Sequence, residues 1–292
     1  MSSLFKRLRP HKFALRGKVA LVTGGADGIG WETTQQLHQQ GCKVVIVDHN
    51  AVAAEAACNT LGQNALWVCA DVTDRAAMQQ AIAQAIEHFG GLDVVVANAG
   101  ITPPSATLRT SRLEDFDKVM AVNVTGVLNT IHPALENLIE RQGHIVVVAS
   151  CAAFCPPVAG AAYMISKAAV EQLARGLKLE LVPHGVTVTT AYFGLVDTQL
   201  AQATLDHDPV GQSLNQRLPA FLQKRMAPKA AGLVLVKAIQ GRAPVVIAPT
   251  GWMPYAWLRG MANPLFDKLL VNDTQLKHLL LDLEQRHTNN NP

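Results

Sequence analysis

Val19-Ala20-Leu21-Val22, followed by Thr23-Gly24-Gly25-Ala26-Asp27-Gly28-Ile29-Gly30, decides the fold of this chain. The four apolar residues read as a strand buried on both faces. The glycines let the backbone turn sharply, and a helix then opens at Ile29. Such a turn brings bare backbone up to a pyrophosphate, whose charge meets the N-terminus of the helix. A glycine-rich turn alone is weak evidence. A strand before it and a helix after it are the context that a dinucleotide site requires.

Working outward, the alternation repeats. Val44–Val47, Leu66–Cys69, Val94–Ala97, Ile145–Val148, Val186–Thr190 and Val245–Ala248 read as further short strands. Ile29–Gln40, Ala51–Leu61, Arg75–Phe89, Arg112–Glu140, Ala161–Val182 and Pro228–Gln240 read as helices, with stops at Gly41, Gly62, Gly90-Gly91, Gly143 and Gly185. The expectation is an α/β fold: a doubly wound, mostly parallel sheet of Rossmann type in one domain over residues 15–250. Gln199–Met226, with Pro209 and Pro219, reads as loops and short helices. A basic leader (1–14) precedes the domain. A C-terminal helical extension (251–292) follows it and opens on the aromatics Trp252, Tyr255 and Trp257. Core or subunit packing, a lid over an apolar pocket, and contact with a membrane surface are the three readings of that extension.

Composition narrows the classes. Of the 292 residues, 49% are hydrophobic and 16% charged, so a large core is available. A net charge of +3 gives no case for a nucleic-acid binder. Five cysteines suit a reduced, cytoplasmic protein better than a disulfide framework. Ten histidines without H-E-x-x-H or C-x-x-C give no metal site. Lys6, Arg7, Arg9, Lys12, Arg16 and Lys18 precede the first acid, Asp27, but no apolar signal core accompanies them. They read as a solvated leader, with weak attraction to anionic lipid as the alternative. Ile145–Ile165 lacks charge over a membrane-spanning length, yet Pro156-Pro157 breaks it into strand, loop and helix start.

Asp48 ends the second strand, 24 residues after Gly24, where an acid grips the adenosine ribose hydroxyls of NAD. A 2′-phosphate in its place would be repelled by about 4 kcal/mol at 4 Å and an effective dielectric near 20, roughly a thousandfold in affinity. Asp27 adds a second acid in the turn. The cofactor expected is NAD.

Tyr163 and Lys167, four apart on a helix, share a face. A nearby ammonium favours the phenolate and is expected to bring Tyr163 into range for proton transfer with an alcohol or ketone. Ser150 supplies a hydroxyl to polarise the substrate oxygen. Taken singly, Tyr163 with Lys167 reads better as an ordinary surface pair, and Ser150 as a strand-end cap. Together with the glycine turn they read as a catalytic set. No G-x-S-x-G surrounds Ser150, which removes the serine-hydrolase reading.

The motifs in this order resemble the short-chain dehydrogenase/reductase family from about Leu15 to Gln240. The resemblance implies a tetrad of Asn123, Ser150, Tyr163 and Lys167, with Asn123 holding a relay water and Lys167 also orienting the cofactor ribose. It implies cofactor contacts at Gly24, Asp27, Gly28, Ile29, Gly30, Asp48, Asp71, Val72, Asn98, Ala99, Gly100, Gly194, Val196 and Thr198. Three positions depart from the pattern: Phe193 stands before Gly194 where proline is usual, Ala149 where serine often precedes Ser150, and Asp27 where a small or basic residue is usual. Phe154 and Leu195, with Ser150 and Tyr163, are the expected substrate contacts, and Cys151, Cys155 and Met226 border them. An apolar pocket without an arginine clamp points to a lipophilic secondary alcohol or ketone, steroid-like or fatty. The alternatives are a non-catalytic NAD-binding regulator on the same fold, or an NADPH-dependent ketoacyl or enone reductase. The resemblance also implies a homodimer or homotetramer paired through the helices of Arg112–Glu140 and Ala161–Val182.

Overall fold

The computed structural model describes residues 12–217, 219–220 and 223–289. Seven strands form one parallel sheet: β1 (Val19–Thr23), β2 (Lys43–Asp48), β3 (Ala65–Cys69), β4 (Val94–Ala97), β5 (His144–Ser150), β6 (Thr187–Phe193) and β7 (Val245–Ala248). Their order is β3-β2-β1-β4-β5-β6-β7. Direction of winding reverses between β1 and β4, so the crevice lies at the carboxyl ends of those two strands.

Side chains alternate across the sheet, and both faces are covered. On one face Leu21, Val45, Val95, Ile145 and Val147 pack against α3 (Arg75–Phe89) and α7 (Ala161–Glu180). On the other, Ala20, Val22, Val44, Val96 and Val146 meet α1 (Gly28–Gln39) and α10 (Pro228–Gly241). The helices start where side chains satisfy their free N–H groups. Asn50 caps α2 (Ala51–Leu61) through Ala53 N at 3.1 Å, and Asp74 caps α3 through Ala76 N and Ala77 N at 2.9 and 3.0 Å.

Two expectations change at the site end of the sheet. β5 and β6 run further than the apolar pattern suggested, because Ala149 pairs with Tyr192 and Ser150 with Phe193. The run expected as one helix over 112–140 is segmented. It comprises α4 (Leu113–Met120), a π-helical turn (Ala121–Thr125), α5 (Gly126–Ile131), a 3₁₀ turn (His132–Ala134) at Pro133, and α6 (Leu135–Glu140). Proline removes a helical donor, which accounts for the second break. After β6 come α8 (Gln199–Ala201), a π-helical turn (Gln202–Asp206) and α9 (Pro209–Arg217). Beyond β7 lie α11 (Met253–Asn272) and α12 (Thr274–Asn289).

The expected leader reaches the fold at its end. Residues 1–11 lie outside the described part, but Phe13 is buried, donates its N–H to Gln240 O at 2.8 Å and lies under the Arg242 guanidinium at 4.3 Å.

The amino ends of the central strands are held by buried polar groups. The Asp93 carboxylate accepts from Lys18 Nζ (2.8 Å), Val19 N (2.9 Å) and Arg141 (3.1 Å to each oxygen). Burial alone would raise its pKa, and these donors hold it below the ordinary value instead. His144, fully buried, sits between Thr187 Oγ1 (2.6 Å) and Thr189 Oγ1 (2.9 Å), and burial pushes its pKa down to about 3. In the unfolded chain a histidine titrates near 6.5. A depressed folded-state pKa contributes stability that is complete above about pH 6.5 and is lost as pH falls toward about 3. Replacing His144 with Gln removes that dependence. Urea unfolding at about pH 7 and about pH 5 should show the wild type losing about 2 kcal/mol more than His144→Gln over the interval. Parallel losses would show that His144 does not titrate on unfolding.

Candidate active site

The glycine turn is held by contacts that no larger residue permits. A Cβ on Gly30 would lie 1.9 Å from Gly24 O and 2.6 Å from Asn98 Nδ2. Gly24 and Gly28 adopt φ of +60° and +53°, the left-handed region. From β4, Asn98 donates Nδ2 to Thr23 O (2.9 Å) and Gly24 O (3.3 Å), while Asn98 N and Ala99 N donate to Thr23 Oγ1 (3.1 and 3.3 Å). Asn98, just past the end of β4, thus positions the turn from the neighbouring strand. Ile29 follows as the second residue of α1. The free backbone at this helix start fits a dinucleotide pyrophosphate.

Asp27 is the N-cap of α1, its Oδ1 accepting from Gly28 N at 2.7 Å. It therefore occupies one of the donors at the helix start. Asp48, mostly buried at the end of β2, accepts from Ala26 N (3.3 Å) and Asn50 N (3.1 Å), so the turn and the second strand end share one carboxylate. At the end of β3, Asp71 is exposed and accepts from Thr73 N and Thr73 Oγ1, both at 2.8 Å. The backbone bond from Thr73 leads in holding its pKa below the usual carboxylate value. Val72 O accepts from Asn129 Nδ2 at 2.9 Å, and Val72 fills the space that a side chain on Gly126 would need.

The four tetrad positions converge at the end of β5. Ser150 Oγ accepts from Ala152 N (3.1 Å) and donates to Phe193 O (3.2 Å), and its hydroxyl acts on the Tyr163 phenol. Tyr163 and Lys167 lie one turn apart on α7, with Lys167 Nζ 5.6 Å from the Tyr163 ring centroid and 3.0 Å from Val148 O. Asn123 lies in the π-helical turn. Its amide exchanges two bonds with Ile101, accepting at 2.8 Å and donating at 2.9 Å, and donates to Ser166 Oγ at 2.9 Å. Gly100 leaves room here, since a Cβ would meet Asn123 Oδ1 at 3.3 Å and Lys167 Nζ at 3.4 Å.

The electrostatics correct one expectation. Lys167 does not lower the Tyr163 pKa in this arrangement. Burial pushes Tyr163 above its ordinary value, against the lowering effect of the Ser150 hydroxyl. Burial also brings the Lys167 ammonium down to about 8. Both groups are thus driven toward their neutral forms.

The substrate side differs more from expectation. Leu195 is half-buried and Val196 buried, and their segment is tied by Met226 N to Leu195 O (2.9 Å) and Asp197 N to Met226 O (2.9 Å). Thr198 caps α8 through Ala201 N (3.3 Å), and its methyl approaches Gly28, joining this segment to the glycine turn. Phe154 is not a cleft residue. It is 3% exposed, packs on Tyr192 with centroids 4.8 Å apart and lies under the Arg259 guanidinium at 4.7 Å. The helix α11 covers it. Cys151 and Cys155 pack in the same cluster, and burial leads in raising both thiols, Cys155 to about 11. Trp252 is a contact that sequence reading left unplaced: its indole lies on Gly194, where a Cβ would come within 2.5 Å of Nε1. That approach explains why glycine follows Phe193, whose own ring is buried among Val148, Val196 and Ala248.

A family model described as short chain dehydrogenase matches residues 18–209. The chain is 36% identical over 206 residues to 2,5-dichloro-2,5-cyclohexadiene-1,4-diol dehydrogenase LinX of Sphingobium indicum, covering 69% of this chain and 82% of that one. An uncharacterized oxidoreductase of Staphylococcus aureus is 35% identical over 191 residues, covering 65% and 82%. Among solved structures, 3-ketoacyl-(acyl-carrier-protein) reductase of Brucella melitensis, complexed with NADH, matches with a TM-score of 0.71 at 27% identity, over 80% of this chain and 97% of that one. A short chain dehydrogenase of Burkholderia cenocepacia in complex with NADP matches with a TM-score of 0.72 at 31% identity, again over 80% and 97%. The family match ends before α11 and α12 begin. Matched motifs, sheet order and tetrad geometry agree: this chain belongs to the short-chain dehydrogenase family and is an oxidoreductase of that type.

Proposed function

We propose that the protein is an NAD-dependent oxidoreductase acting on a lipophilic secondary alcohol or the corresponding ketone. The observation that carries this reading is the convergence of Ser150, Tyr163, Lys167 and Asn123 beside the glycine turn. The diol dehydrogenase relative supports alcohol chemistry, and the apolar, half-buried Leu195 supports a lipophilic substrate. The family's helix pairing supports a homodimer or homotetramer.

The residues that would hold the dinucleotide are Gly24, Gly28 and Gly30 at the pyrophosphate, Asp48 at the ribose, and Thr198 with Val196 at the nicotinamide end. The nicotinamide, when bound, supplies or accepts the hydride. The chain's own residues handle the proton. The Ser150 hydroxyl orients the substrate oxygen and stabilises charge growing on it. Tyr163, neutral and buried, donates its proton to a ketone oxygen; in the reverse direction it must first release that proton, and the phenolate then takes the alcohol's proton. Lys167, with its proton bound loosely, is the next station, and Asn123 fixes the turn through which that lysine meets water.

Replacing Tyr163 with Phe should lower turnover about a thousandfold while NADH binding, followed by fluorescence titration, stays within a factor of about two. Wild-type turnover in that variant would end the catalytic assignment. Asp48→Ala should shift the ratio of NADP to NAD affinity by about a hundredfold toward NADP. A wild type that already prefers NADP would overturn the Asp48 argument. Ketone reduction, which needs the protonated set, should decline above about pH 8, where Lys167 loses its proton, while alcohol oxidation rises with pH. Lys167→Arg should move the decline upward in kcat/KM profiles from about pH 6 to about pH 10.

A further inference from the structure

The helix α12 crosses the three loops that rise from the carboxyl ends of β4, β5 and β6. Leu283, 3% exposed, seats against Ala159 and Val210, with Val158, Leu214 and Leu279 around it. Ala159 belongs to the loop leading into Tyr163, and Val210 and Leu214 belong to α9 after β6. From the next residue of α12, Glu284 accepts from Thr107 Oγ1 at 2.9 Å and pairs with Arg109, both on the loop after β4. At the other end of the helix, Arg217 of α9 pairs with Asp273 (2.6 Å) and donates to Gln275 (3.4 Å).

These loops also close on each other. Ala106 N donates to Ala159 O at 3.1 Å, and Thr102 and Thr204 share a hydroxyl bond of 2.9 Å. Ala159 is held at φ +57°, a left-handed conformation costly for alanine. The Ala106 bond and the Leu283 contact hold it there, four residues from the phenol. In an open parallel sheet the substrate crevice lies outside the carboxyl ends of the strands, so loops in this position are its walls. A helix fastened to all three is its roof.

We infer that α12 is a specificity-determining cap, with Leu283 as its apolar seat and Glu284 as its latch. It closes the outer mouth of the substrate cleft, admits compact apolar alcohols and ketones in preference to long-chain ones, and keeps water from the reacting atoms. The substrate preference rests on the alcohol/ketone reading above; the closure itself does not. Closure of this kind strengthens every electrostatic interaction inside the cleft.

Three readouts on the full chain test this. Leu283→Asp places a carboxylate in the apolar seat, and Glu284→Lys opposes Arg109 without altering that seat. In both variants hydrogen exchange over 102–110, 156–160 and 203–217 should rise about tenfold or more, with β1 and β4 unchanged. Acrylamide quenching of bound NADH should rise severalfold while NADH affinity is retained. The kcat/KM ratio of a linear long-chain secondary alcohol to cyclohexanol should rise about tenfold. If exchange shows α12 released but NADH quenching is unchanged, the cap is overturned. If exchange and quenching both stay at wild-type values in Leu283→Asp and in Glu284→Lys, α12 does not close the cleft and the proposal also falls. Increased quenching with no turnover of any alcohol or ketone keeps the cap and removes the substrate reading instead. Increased quenching with an unchanged ratio removes the specificity role.

Discussion

Everything at this site depends on the approach of Gly30 to the carbonyl of Gly24, a gap no side chain can enter. That contact lets α1 start directly at the end of β1. Asn98 and Thr23 then lock the turn to β4, so the two strands at the winding reversal share one rigid corner. Asp48 reaches the same corner from β2. Strand order thus determines which residues meet: the ends of β1, β2 and β4 hold the turn, and the end of β5 brings Ser150 alongside.

Much of this was legible because it rests on backbone requirements that leave a residue signature. The glycines mark positions where a Cβ collides, and the unbroken valine runs mark strands covered on both faces. Ser150, Tyr163, Lys167 and Asn123 were legible through family spacing, and the structure brings them together. The cap role of Asp27 was less visible, since the same acid in the same turn also fits a cofactor contact. Phe154 misled for a definite reason. Its place four residues after Ser150 suggests a cleft wall, yet its ring goes to Tyr192 and is roofed by Arg259, more than a hundred positions away in sequence.

The π-helical turn at Asn123 and the contact of Trp252 with Gly194 had no local signal either. A π turn changes which backbone groups pair without changing the apolar period around it, so 112–140 read as one helix. Trp252 announces an aromatic segment but not its partner. Long-range packing of this kind is settled by the shape of the whole, and a single sequence records only one half of each contact.

The paired burial of Tyr163 and Lys167 changes how their cooperation is to be understood. A fixed ammonium beside a phenol would stabilise phenolate and favour only proton acceptance. Here Nζ bonds to Val148 O, and removal from water brings the lysine down to about 8 while the phenol is pushed up. Near neutral pH the phenol is uncharged, and the ammonium is close to the range where it loses its proton. The lysine can therefore exchange a proton at small cost, whereas the phenol holds its own firmly and gives it up to an oxygen that is becoming an alkoxide. Reduction of a ketone then requires the tyrosine to be recharged after each turnover from the side away from the substrate. The lysine's depressed pKa suits it to that recharging step from behind the phenol, where its Nζ bonds the Val148 carbonyl.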